Sequence, residues 1–177
     1  MRRIILFSFA CVVALALNAA SALAQASRAD HQRVLRRIAY YRTAAWRWQT
    51  LTMHRRTTST GAAWRRHDYG FRLNVLHGWR RRAAVVWRIA LHPPNLSSWE
   101  CIHRGEGAWR SNTGNGYYGG LQMDLEFQQT YAPAFLLRKG TADHWSRLEQ
   151  IWVAERARRS GRGFGPWPNT ARMCGLL

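Results

Sequence analysis

Apolar residues recur at spacings of three and four along the first half of the chain, at Val34, Ile38, Tyr41, Ala45 and Trp48, with arginines on the positions between them. That period lines one face of an α-helix. A polar break, Thr57-Thr58-Ser59-Thr60-Gly61, precedes a second series at Leu76, Trp79, Ala83 and Trp87, which Pro93-Pro94 ends. The two series predict a pair of basic helices with too little apolar surface to stand alone, and therefore docking on the C-terminal half of the chain. Past the prolines, Ser97 and Glu100 stand at capping-box spacing and predict a helix through Trp99, Cys101 and Ile102 to about Glu106, stopped by Gly107. Asn112-Thr113-Gly114-Asn115-Gly116, flanked by tyrosines and followed by Gly119-Gly120, predicts a small hairpin or glycine loop. Asp124 is placed to cap a short helix through Phe127 and Tyr131, which Pro133 interrupts. A second capping box, Ser146 with Glu149, starts a helix carrying Leu148, Ile151 and Trp152 on one face, and Gly161 stops it. The expected class is mainly α with a small β-hairpin.

The ends change the picture. Met1-Arg2-Arg3, the apolar run from Ile4 to Ala20 and the triplet Ala22-Leu23-Ala24 read as a signal peptide over residues 1–24. An uncleaved anchor is the competing reading, because the run approaches the roughly 17 residues at which spanning begins. Cleavage leaves Cys101 and Cys174 as the cysteines of the exported chain, and an even count in an oxidising space predicts one disulfide. Two free buried thiols are the alternative. Closing that loop is worth about 4 kcal/mol in the chain-entropy account.

Charge divides the chain. Its net charge is +18, of which residues 25–98 hold fifteen Arg against two Asp, whereas residues 99–177 hold ten Arg or Lys against seven acids. The organisation expected is therefore a leader over 1–24, a basic helical region over 25–95 and a domain over 96–177. The seven histidines lack paired ligand spacing such as HExxH, so neither metal nor other cofactor is expected.

Glu106 stands at a helix end between two glycines, three residues before Trp109. The glycines leave the carboxyl accessible. The negative end of the helix and a neighbouring indole both disfavour ionisation, the setting of a general acid. Its surroundings carry a resemblance. The run Trp109-x-x-Asn112-Thr113-Gly114-Asn115-Gly116-Tyr117-Tyr118-Gly119-Gly120-Leu121-Gln122, then Glu149-Gln150-Ile151-x-Val153-Ala154-Glu155-Arg156, Gly161-Arg162-Gly163, Pro166-Trp167-Pro168 and Cys174-Gly175 are similar in order to the transglycosylase-like domain of the resuscitation-promoting factors. Those are secreted muralytic proteins with a lysozyme-like fold. The resemblance covers residues 99–177 and excludes 25–98.

Spacing departs from the family before Trp109. In the factors the catalytic Glu directly follows a Cys and precedes the Trp by five residues. Here Cys101 is five residues before Glu106, and Trp109 three after it. Arg104 takes the acid's place in an ungapped alignment and Glu100 is a further competitor, but Glu106-Gly107-Ala108-Trp109 resembles the Glu-Ser-x-aromatic motif of soluble lytic transglycosylases. Glu106 is therefore the expected acid.

The resemblance implies peptidoglycan glycan strands as substrate and the β-1,4 bond between N-acetylmuramic acid and N-acetylglucosamine as the target. Trp109, Tyr117 and Tyr118 offer faces for sugar rings. Asn115 and Gln122 offer hydrogen bonds to acetamido and hydroxyl groups. Asp124 is either a second carboxylate or only a helix cap. The arginine-rich half is expected to hold the enzyme on anionic wall polymers or membrane head groups, and export argues against nucleic acid. The expected location is secreted, extracellular or bound to the cell wall. The alternative is a non-catalytic basic protein that binds walls or membranes through a lysozyme-like scaffold.

Overall fold

The computed structural model describes the backbone of residues 2–58 and 68–177, and the side chains of residue 25, 27–58 and 68–177. The side chains of the expected leader, residues 1–24, lie outside the described residues, as do residues 59–61 of the polar break. Among the described residues, no helix is long and apolar enough to cross a membrane.

Among the described residues seven α-helices carry the fold: α1 (Arg2–Leu51), α2 (Tyr69–Ala90), α3 (Leu96–Glu106), α4 (Leu125–Tyr131), α5 (Ala134–Leu137), α6 (Arg147–Ala157) and α7 (Pro168–Met173). No glycine or proline interrupts α1, and left-handed Met53 (φ 60) follows its end. Asp68 starts α2 by accepting a hydrogen bond from the Phe71 backbone N–H (2.8 Å).

The chain forms two compact units. In the first, which comprises residues up to Arg42 and 68–80 among those described, Val34, Ile38, Leu76 and Trp79 are buried. The His31 ring stacks on Tyr69 at 4.9 Å. The second unit comprises Thr43–Thr58 and Arg81–Leu177. Its share of α2 buries Val86 and Ala90 and leaves Trp87 exposed, so the apolar stripe continues by a step of three from Ala83, not by the step of four expected.

Helix α6 lies at the centre of the second unit. Eight of its eleven residues are buried, which is the pattern of a helix surrounded on all sides. Trp99, Ile102, Leu121, Met123, Leu136, Ile151, Trp152 and Trp167 form the core around it. The buried indoles are also anchored. Trp152 donates to the Ala90 carbonyl (2.9 Å), Trp145 to those of Leu136 (3.1 Å) and Gly140 (3.0 Å), and Trp167 to that of Leu121 (2.6 Å). Leu51 joins the same core, and Arg156 of α6 donates to the Thr50 carbonyl (3.0 Å).

The Ser146–Glu149 capping box forms in full, and Asp124 caps α4 by accepting from Phe127 N–H (2.7 Å). The Ser97–Glu100 box does not form. Helix α3 begins earlier, at Leu96, behind a left-handed Asn95 (φ 57), so Ser97 is already inside the helix and Glu100 instead accepts from Arg147 Nε (2.6 Å). The expected hairpin is likewise reduced to two isolated antiparallel bridges, Asn112 with Tyr118 and Tyr118 with Met123. Tyr118 and Met123 exchange both backbone bonds (3.0 Å each), and side-chain bonds hold the rest of the loop.

Glu155 is fully buried. It accepts from Arg158 (2.8 and 3.0 Å), Arg159 (3.1 Å) and the Trp99 indole (3.1 Å). Burial opposes its ionisation, but the bonds from Arg158, Trp99 and Arg159 outweigh burial and hold the carboxyl below the ordinary range.

Candidate functional site

Glu106 is the last residue of α3 and is half-buried. Its Oε1 accepts from Thr170 Oγ1 of α7 at 2.6 Å, a short O–H···O bond. The contact is possible because α3 and α7 touch at Gly105. A Cβ there would stand 2.6 Å from Thr170 Cγ2, so a larger residue would force the helices apart. Cys101 and Cys174 form a disulfide with Cα atoms 6.0 Å apart. Each cysteine lies four residues outward from the contact pair, 105 − 101 on α3 and 174 − 170 on α7, which is about one helical turn. Bridge, contact and acid are thus stacked along one helix pair.

Gln150 and His103 hold the glycine loop from behind. The Gly120 N–H donates to Gln150 Oε1 (2.8 Å), and Gln150 Nε2 donates to the carbonyls of Trp109 (2.8 Å) and Trp145 (3.2 Å). His103 Nδ1 lies 3.1 Å from the Gly120 carbonyl, and its ring stacks on Trp109 at 3.9 Å. One face of Trp109 is therefore occupied within the protein. Gly119 (φ 75) and Gly120 are both buried, and a Cβ on either would collide with Gln150 or with His103 and Trp109.

A cleft of ≈ 300 Å³ opens beside this loop, with Tyr117, Gln122, Asp124, Glu126, Arg162 and Trp167 in its wall. Gln122 is bent into the left-handed region (φ 45) and donates to the Gly119 carbonyl (2.8 Å). Non-glycine residues in that region are uncommon and store strain where function needs a fixed geometry. Glu106 is not among the residues of the wall, but its neighbours lead to it. A Cβ on the adjoining Gly107 would lie 3.7 Å from Gln122 Nε2, and Thr170 is three residues past Trp167.

Of the expected sugar contacts, the structure gathers Tyr117, Gln122 and Asp124 into the cleft and leaves three outside its wall. Tyr118 is half-buried against the core, Trp109 is packed on His103, and Asn115 turns its side chain onto the Tyr117 N–H (3.0 Å). Asp124 both caps α4 and faces the cleft. Sequence reasoning missed Thr170, Glu126 and Arg162. Thr170 had one signal, its position four residues before Cys174, matching Gly105 four residues after Cys101. Hydrogen bonds from Ser160 and then Arg162 hold the Tyr131 phenol below its ordinary pKa, so Arg162 is held at the rim. Among the described residues, no group of three His, Cys, Asp or Glu side chains is placed to hold a metal.

Known proteins match the same part of the chain. The model of the transglycosylase-like domain family matches residues 95–170. Resuscitation-promoting factor Rpf1 of Corynebacterium glutamicum is 38% identical over 96 residues, covering 53% of this chain and 48% of that protein. Factor RpfE of Mycobacterium tuberculosis is 40% identical over 80 residues, covering 44% and 41% respectively. Factor Rpf of Micrococcus luteus is 32% identical over 96 residues, covering 53% and 40%. The chain spans less than half the length of these curated relatives. Over residues 95–170 these matches bear out the resemblance to the transglycosylase-like domain of the resuscitation-promoting factors.

Proposed function

We propose that this chain is an exported enzyme that cleaves the β-1,4 bond between N-acetylmuramic acid and N-acetylglucosamine in peptidoglycan, with Glu106 as its general acid and base. The observation that carries the reading is the Glu106–Thr170 bond, which holds the carboxyl one residue from Gly107, itself beside Gln122 of the cleft that Tyr117, Asp124 and Glu126 also wall. The hydroxyl fixes one carboxylate oxygen and leaves the other for the glycosidic oxygen. Glu106 protonates that oxygen as the bond to the anomeric carbon breaks. The resulting carboxylate then takes a proton, either from the muramyl 6-hydroxyl, closing an anhydro ring, or from a water that attacks the anomeric carbon. Tyr117 supplies a sugar-stacking face and Gln122 a polar contact, while Asp124 and Glu126 offset the positive charge that builds on the ring. The arginine-rich half keeps the enzyme on anionic polymers of the wall.

Digestion of purified peptidoglycan, followed by mass spectrometry of the released fragments, tests the assignment. Wild-type protein should release muropeptides and Glu106→Gln should release none. Anhydro-muramyl ends identify a transglycosylase and reducing ends a muramidase. Equal release by the variant would refute Glu106 as the acid, and no release by either would favour a non-catalytic wall-binding protein.

A further inference from the structure

A second cavity, of ≈ 350 Å³, lies between the end of α1 with its following segment and the start of α5, and it shares no residue with the cleft that Gln122 walls. Arg47, Arg56 and Arg138 stand around it, and Thr50, Trp46 and Phe135 are also in its wall. Among the described residues none of these three arginines forms a salt bridge, whereas Lys139, Arg147, Arg158 and Arg159 each pair with a glutamate. The Arg47 guanidinium sits 5.7 Å over the Phe135 ring. Arg56 Nε donates to Thr50 Oγ1 (2.8 Å), which aims the guanidinium and leaves its terminal nitrogens for another partner. The Trp46 N–H is taken by the Thr57 carbonyl (2.8 Å).

Behind this wall a fourth cation lacks a carboxylate. Arg156 is half-buried and donates to the carbonyls of Thr50 (3.0 Å) and Tyr131 (2.7 Å). Burial lowers its pKa, as expected where no anion sits beside it. Three guanidiniums therefore stand around one hollow whose wall also holds Trp46 and Phe135, with Arg156 beside Thr50 of that wall.

We propose that this cavity binds a phosphorylated polyol or sugar, the repeating unit of an anionic wall polymer. Guanidiniums from two segments can bond both non-bridging oxygens of a phosphate from two sides, whereas a carboxylate is satisfied by one fork. The carbon chain of the polyol lies along the apolar part of the wall. The hollow, of ≈ 350 Å³, has room for one such unit. The proposal rests on the peptidoglycan-cleaving function only for the class of partner and needs no catalysis.

Calorimetric titration of the full chain with glycerol 3-phosphate, with glycerol as the neutral comparison, tests it. Saturable one-to-one binding is expected for the phosphate and none for glycerol. The variant R47Q/R56Q/R138Q should bind about tenfold more weakly. The variant R36Q/R37Q/R80Q, with the same loss of charge on exposed residues of the other unit, should bind within about twofold of wild type. If the triple variant does not fold, Arg138→Glu replaces it, with the same tenfold loss expected. Equal losses in the two triple variants would overturn the site in favour of diffuse charge. So would binding to phosphatidylglycerol vesicles that glycerol 3-phosphate does not displace. Loss of whole-wall binding with glycerol 3-phosphate binding intact would defeat the broader wall-docking reading and spare this one.

Discussion

Replacing Gly119 by alanine tests whether the site loop is held by the buried Gln150 amide or by its own turn chemistry. Gly119, Gly114 and Gly116 share the left-handed backbone, with φ of 75°, 78° and 84°. An added methyl is therefore strained at all three, at a cost of about 1 kcal/mol each. Only Gly119 adds a collision. Its Cβ would stand 2.8 Å from Gln150 Cδ and closer still to Oε1, while Gly114 and Gly116 face open space. Gln150 is fully buried and makes three hydrogen bonds, to Gly120 N–H and the carbonyls of Trp109 and Trp145. Displacing it forfeits about two of them at roughly 1 kcal/mol each and strands buried polar groups. Gly119→Ala should thus lose about 3–4 kcal/mol, against about 1 for Gly116→Ala. Urea unfolding of the oxidised protein, followed by tryptophan fluorescence at matched slopes, measures both. A difference below about 0.5 kcal/mol between the two variants would show that Gln150 does not hold the loop.

The other contacts of the site and core make predictions of their own. Thr170→Val keeps the methyl packed on Gly105 but removes the hydroxyl from Glu106, so kcat/KM should fall about tenfold with unchanged stability, and Thr170→Ser should restore most of it. Glu155→Ala strands two arginines and an indole N–H and should cost about 3–5 kcal/mol in urea unfolding. Because the Glu155 pKa is lowered by folding, its contribution is complete above the ordinary carboxylate range and is lost as pH falls through the depressed folded value; Glu155→Gln should flatten stability against pH in that acidic window. Replacing Cys101 and Cys174 together by serine should lower stability by about 4 kcal/mol, read as a shift of the urea midpoint.

The parts of the fold legible in the sequence were those set by neighbours along the chain. Ser146 with Glu149, Asp124 and the Ile151 and Trp152 side chains took the roles their local pattern predicts, since a cap or an apolar stripe is complete within a turn or two. Ser97 with Glu100 failed because the identical spacing says nothing about where the helix begins; Pro93-Pro94 and left-handed Asn95 set that start upstream. The hairpin failed for a related reason. Its turn residues are present, but Gln150, thirty residues away from Gly120, provides the bonds that a ladder would otherwise supply. Thr170 lies 64 residues from Glu106, and Glu126 and Arg162 meet only across the cleft. No local rule reports such pairs.

The stacking of disulfide, glycine contact and acid along α3 and α7 limits which chain lengths a homologue can have. A single residue inserted between Cys101 and Glu106 would turn the acid about 100° away from Thr170. Only whole-turn changes, made on both helices together, keep both the bridge and the hydroxyl in reach. The separation from Cys to Glu should therefore take discrete values across the family. It is one in the factors that this sequence resembles and five here, a difference of four. Sequences at spacings of two or three should lack either the bridge or the threonine, a pattern that any collection of homologues can display.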